Sequence, residues 1–249
     1  MKQIRHAYAL ALSILLSNSA TIAADNATDA EAFYTQGIAA LNNAQQVSVD
    51  PASSMDELTN ALNAFELNIR IASRLGHPAA TLYQAQILIK KSSSDPVKEQ
   101  QNRRQGCASL DDLARKGVVA AAVLNFRECD MAYMRFESDS PEHRRVLETL
   151  EQSLGDVDPA ATYYPFPLSA SQCFASDPVH VTPLTQEQFR AEAKYILGST
   201  QEPSSLEALQ RNLDWLEEAA RDGCAALLDM RPLLREQLIK LASKEKDAS

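Results

Sequence analysis

Apolar residues in this chain recur at steps of three and four, and many of these runs stop at a glycine or a proline. Cys107, Leu110 and Ala114 make one such stripe, and Ala122, Phe126, Cys129 and Tyr133 make the next. Both have the period of an amphipathic helix. Gly117 lies between them, where a helix C-terminus favours a residue that tolerates positive φ. Ala120 and Ala121 follow and leave room for two helices to approach closely.

The same reading places elements along the whole chain. A first helix is expected over Ala30–Leu41, then a polar loop over Asn42–Ser54. The next helix carries Leu58, Leu62, Phe65, Ile69 and Ala72 on one face and stops at Gly76. Pro78 opens a helix reaching Lys90. Asp95 followed by Pro96 is an N-cap with proline at the first helical position, and that helix runs to Lys116. Its successor is expected to continue to about Phe136. Ser140-Pro141 starts another helix, with Leu147, Leu150 and Leu154 on one face. Residues 156–185 contain Pro159, Pro165, Pro167, Pro178 and Pro183, a density that no regular helix survives. Helices resume over Gln186–Leu197. Ser204 or Ser205 then caps a helix bearing Leu206, Leu209, Leu213, Leu216 and Ala220, which Gly223 ends. A last helix is expected over Cys224–Ala242, ahead of a charged tail.

Composition agrees with helices. Of 249 residues 45% are hydrophobic, enough for a sizeable core, and only 7 are Gly. A sandwich or barrel with many tight turns would use more glycine. The N-terminus is expected to be a signal peptide, residues 1–24. Lys2 and Arg5 supply its positive start, Ala7–Leu16 its short apolar run, and Thr21-Ile22-Ala23-Ala24 its cleavage zone. The mature chain, 25–249, is read as one helical-repeat domain, exported, soluble and periplasmic. The full chain carries 24 basic and 33 acidic residues, a net charge of −9. Loss of Lys2 and Arg5 takes this to −11. An acidic chain without a basic cluster argues against nucleic acid or an anionic membrane as partner; the charge serves solubility or suits a basic partner.

The glycines expose a period. Gly76, Gly117 and Gly155 stand 41 and 38 residues apart, and Gly223 follows 68 later, one period plus the Pro-rich insertion. Ala32-x-Tyr34-x-x-Gly37 matches Ala193-x-Tyr195-x-x-Gly198, and Ala80-x-Leu82-x-x-Ala85 is a looser copy. Two helices per unit of about 40 residues predict an all-α chain of antiparallel helix pairs stacked as an α-solenoid, interrupted by the insertion. With Ala219-Ala220-Arg221-Asp222-Gly223 and Leu113-Ala114-Arg115-Lys116-Gly117, the units resemble Sel-one-like repeats, a branch of the tetratricopeptide-type repeats. The resemblance implies a surface that binds proteins or peptides and a role as adaptor or assembly factor in the envelope. Some exported members look like immunity proteins, which neutralise a toxin delivered to the periplasm.

Four cysteines, Cys107, Cys129, Cys173 and Cys224, fit an oxidising compartment. Cys107 lies ten residues before Gly117 and Cys129 twelve after it, so the two face each other across a helix hairpin. The expected bridges are Cys107–Cys129 and, by elimination, Cys173–Cys224. No C-x-x-C, phosphate-binding loop or nucleophile elbow occurs. His77, His143 and His180 are isolated from one another. The expectation is therefore a non-enzyme with no metal and no cofactor, the alternative being a hydrolase whose site the sequence does not reveal. One stretch outside the repeats is rich in anchor chemistry, Tyr163-Tyr164-Pro165-Phe166-Pro167. Tyr163, Tyr164 and Phe166 either grip a protein partner or fold back to plug the core.

Overall fold

The computed structural model describes residues 2–168, 171–174, 183–201, 203, 205–227, 236 and 239, with side chains from residue 26 onward except 226. The expected signal peptide falls outside the described side chains, and so does nearly all of the expected last helix. The fold is all-α, and its contacts divide the chain into two compact units, Met1–Ser92 and Ser93–Ser249. Among the described residues, no helix is long and apolar enough to cross a membrane.

In the first unit α1 (Lys2–Val49) packs on α2 (Met55–Arg74), and α2 on α3 (Pro78–Lys90). The expected loop over Asn42–Ser54 is shorter than its polarity suggested. The α1 helix persists to Val49, and only residues 50–54 turn. Ser54 caps α2 through a reciprocal box with Glu57. The buried stripe of α2 is Ala61, Phe65, Ile69 and Ala72. Leu62, expected on that stripe, is 45% exposed. Packing against α1 centres the contact on steps of four, which brings small Ala61 inward and moves Leu62 to the edge. Gly37 on α1 stands where a Cβ would lie 3.0 Å from Ile69 Cδ1, so glycine permits this close approach. Tyr34, one turn earlier, stacks on His77 with ring centroids 4.2 Å apart. Tyr83 meets Phe65 edge-on.

The second unit surrounds α5 (Val119–Cys129). Every residue from Val119 to Phe126 is buried, because α4 (Pro96–Arg115), α7 (Pro141–Gly155) and α8 (Gln186–Thr200) all pack on it. The sequence predicted one apolar stripe here, and the structure covers the whole circumference, as the apolar run Val118–Leu124 allows. The hairpin of α8 and α9 (Leu206–Arg221) repeats the device of the first unit. A Cβ on Gly198 would lie 2.6 Å from Leu216 Cγ. Leu216 precedes Gly223 by seven residues, as Ile69 precedes Gly76. Tyr195 packs against the buried cluster that contains Leu216, Ala220 and Cys224, and Tyr34 packs on His77, the residue after Gly76. Gly76, Gly117 and Gly223 all have positive φ, near 90°. Gly155 does not, being the last residue of α7 with open space around it.

The insertion is irregular, as expected. It holds a 3-10 turn at Ala161–Tyr163 and a two-residue antiparallel ladder pairing Phe166 with Leu184. Val179–Val181 lie outside the described residues. Two bridges are present, Cys107–Cys129 and Cys173–Cys224, and among the described residues no cysteine is free.

Candidate functional site

The expected aromatic anchors turn inward to different degrees. Phe166 has no exposed surface, and Tyr163 and Tyr164 are half-buried. Tyr164 packs edge-on to Phe166 and Phe189 at 4.6 and 5.8 Å. Its hydroxyl donates to Asp158 Oδ2 at 2.7 Å and accepts from the Ala120 amide at 3.2 Å. Asp158 also accepts from the amides of Val119 and Ala160. These bonds serve a definite local need. Val118 occupies the N-cap position before α5 and has no side chain able to cap it, and the first amides of a helix lack intrahelical partners. The insertion supplies both caps from outside the helix. Burial, reinforced by the Asp158 carboxylate, pushes the Tyr164 hydroxyl well above the usual tyrosine range. Phe166 in this position fills the core, while Tyr163 and Tyr164 keep part of their surface exposed.

A second buried carboxylate, Glu192 on α8, fixes the far end of the insertion. It accepts from the Ser171 hydroxyl at 2.7 Å and from the amides of Gln172 and Cys173 at 3.1 Å, and it pairs with Arg127. The Cys173–Cys224 bridge closes beside these bonds. Removing one partner of a buried ion pair leaves the other charge buried and uncompensated.

The strongest surface feature lies elsewhere, at the junction of α4, α5 and α7. The sequence predicted one helix from Gly117 to about Phe136. Instead α5 stops at Cys129 and Asp130 starts a separate turn, α6 (Met131–Met134). The cause is Asp130. Its Oδ1 accepts from the amides of Ala132 and Tyr133, an N-cap made inside an apolar run. Its Oδ2 meets His143 Nδ1 at 2.5 Å, with both residues buried. His143 also lies 5.8 Å from the Phe126 ring. Among the described residues no hydroxyl or thiol bonds His143 Nε2, and the Ser140 hydroxyl instead caps α7 by accepting from the His143 amide. The carboxylate–imidazole pair therefore holds α6 against α7.

Beside Asp130 opens a cavity of about 360 Å³. Both half-cystines of the Cys107–Cys129 bridge line it. Four carboxylates, Asp111, Asp130, Glu137 and Glu142, face two guanidiniums, Arg135 and Arg145. Asp111 is paired with Arg115, and Arg135 with Glu137. Three exposed apolar side chains fall within six residues: Met131, which lines the cavity, is 52% exposed, and Met134 and Phe136, on either side of the lining residue Arg135, are 41% and 91% exposed. Met131 and Met134, three apart, share a face of α6. Among the described residues, no group of three or more His, Cys, Asp or Glu side chains could hold a metal ion.

Sequence reasoning missed this site because Cys129 and Tyr133 keep the step of four across the break. The available signal was Asp130, a capping residue inside an apolar run. Three large apolar residues beside the polar run Glu137–Ser140 were a second signal. No protein-family model matches the chain, and no curated protein or solved structure matches it either.

Proposed function

We propose that this chain is an exported protein-binding module of the cell envelope, acting as adaptor or inhibitor rather than as an enzyme. The observation that carries the reading is the exposed trio Met131, Met134 and Phe136, of which Met131 lines the α4–α5–α7 cavity and the other two flank its lining residue Arg135. Exposed apolar side chains grouped near a concavity mark contact surfaces. Methionine adapts its shape to a partner, and aromatic residues dominate interface energetics. The two disulfides suit an oxidising compartment such as the periplasm. The copies of Ala-x-Tyr-x-x-Gly, each seating a glycine against the following helix, support the Sel-one-like reading.

The test is capture on the mature, oxidised chain from envelope and secreted fractions of its host. A stoichiometric protein partner that elutes with salt is expected. Failure to retain any protein would overturn the reading and favour a small-molecule ligand in the cavity. A second version is an immunity protein that neutralises a periplasmic toxin, for which an acidic chain would suit a basic toxin. It requires the captured partner to be a toxin whose activity the chain abolishes at equimolar concentration.

A further inference from the structure

Four turns among the described residues close a helix in the same way, and one of them uses the wrong residue for the job. In this ending the amide two residues past the C-cap bonds a carbonyl five residues back, and the residue between adopts a left-handed conformation. The bonds are His77 to Ala72, Val118 to Leu113, Cys224 to Ala219 and Glu137 to Ala132. The left-handed residue is Gly76, Gly117 and Gly223 in the first three and Phe136, with φ 59°, in the fourth. Glycine adopts this conformation freely, whereas a bulky side chain there is strained. The Phe136 ring recovers nothing from the fold, since it is 91% exposed. Strain that the folded chain does not repay points to a use outside it.

Resting on the protein-binding reading above, we infer that Phe136 is the anchor of a docking surface for a basic, apolar-flanked segment of a partner protein. Phe136 stands between Arg135 and Glu137, both of which line the cavity. The ring and the two methionines would cover the partner's apolar side chains. Its Lys or Arg would enter the cavity and meet Glu142, because the other three lining carboxylates, Asp111, Asp130 and Glu137, are already held by Arg115, His143 and Arg135. Glu142 is exposed on α7 and, among the described residues, forms no ion pair. Complementary charge of this kind sets specificity and association rate.

Panning a random peptide library on the purified, oxidised full chain tests this directly. Selected sequences should be enriched in Lys or Arg beside aliphatic or aromatic residues. Their affinity should fall as salt rises, drop at least tenfold in Phe136→Gly, and weaken further with Glu142→Arg. Phe136→Gly should keep or raise the melting temperature, because it restores glycine to a glycine position, so its loss of binding cannot be loss of fold. Acidic selected sequences, or peptides that bind Phe136→Gly as well as the parent, would overturn this surface while leaving protein binding in place. If panning selects no peptide at all, the inference falls, and the capture experiment then decides the broader reading separately.

Discussion

His77 holds two groups at once. Its Nδ1 accepts from the Ala80 amide at the start of α3, and its Nε2 meets Glu31 at 3.1 Å. An acceptor at Nδ1 must be unprotonated, so the cap requires neutral imidazole. Burial pushes the His77 pKa below 6.5, outweighing the opposing pull of Glu31. A folded pKa below the unfolded one gives stability that is complete above about pH 6.5. That stability is lost as pH falls through the folded value. Chemical denaturation between pH 7.5 and 5 should therefore show falling stability in the parent chain and a flatter profile in His77→Asn, since Asn caps without titrating. Equal slopes would mean that His77 does not carry this dependence. Tyr164 makes a similar residue-level case. Tyr164→Phe keeps the ring but removes the hydroxyl that joins Asp158 to Ala120, and it should cost about 1 kcal/mol of stability. A cost near zero in urea denaturation would show that the α5 cap stands without it.

Most elements were legible because their ends carry their own chemistry. Ser54, Asp95, Ser140, Thr185 and Ser205 each cap the helix that follows, and Gly76, Gly117 and Gly223 end helices with positive φ. What the sequence hid was tertiary. Burial of α5 on every side depends on three neighbouring helices, and the break at Asp130 depends on His143 arriving from α7. Helix contact can be tested at its two glycines. Gly198→Ala must displace Leu216 Cγ and the Asn212 carbonyl, 2.6 and 2.7 Å from the new Cβ, and should destabilise by about 1–3 kcal/mol. At Gly37 the nearest atoms belong to the flexible end of Ile69. Helix propensity favours alanine there by about 0.5–1 kcal/mol, so Gly37→Ala should be near neutral. Equal losses at both sites would show that the two hairpins are packed alike. The bridges act at the same scale, closing loops of 22 and 51 residues. Chain entropy predicts contributions of about 3 and 4 kcal/mol. Replacing Cys107 and Cys129 together by serine should thus cost less in denaturant than replacing Cys173 and Cys224.

At the scale of the whole molecule, most of the acidic charge lies in the second unit, and that unit carries a surface that the fold itself does not need. The stretch that the sequence singled out, Tyr163 to Phe166, is largely spent on capping α5 and filling the core. The residues left outward, Met131, Met134 and Phe136, sit on a short turn that exists because Asp130 interrupts an apolar run. Docking of a protein partner there is tested by parallel capture of envelope proteins on the oxidised parent chain and on Phe136→Gly, after both are shown to melt at the same temperature or the variant higher. A basic partner held stoichiometrically by the parent and lost from the variant is expected. Equal retention by both chains would contradict it.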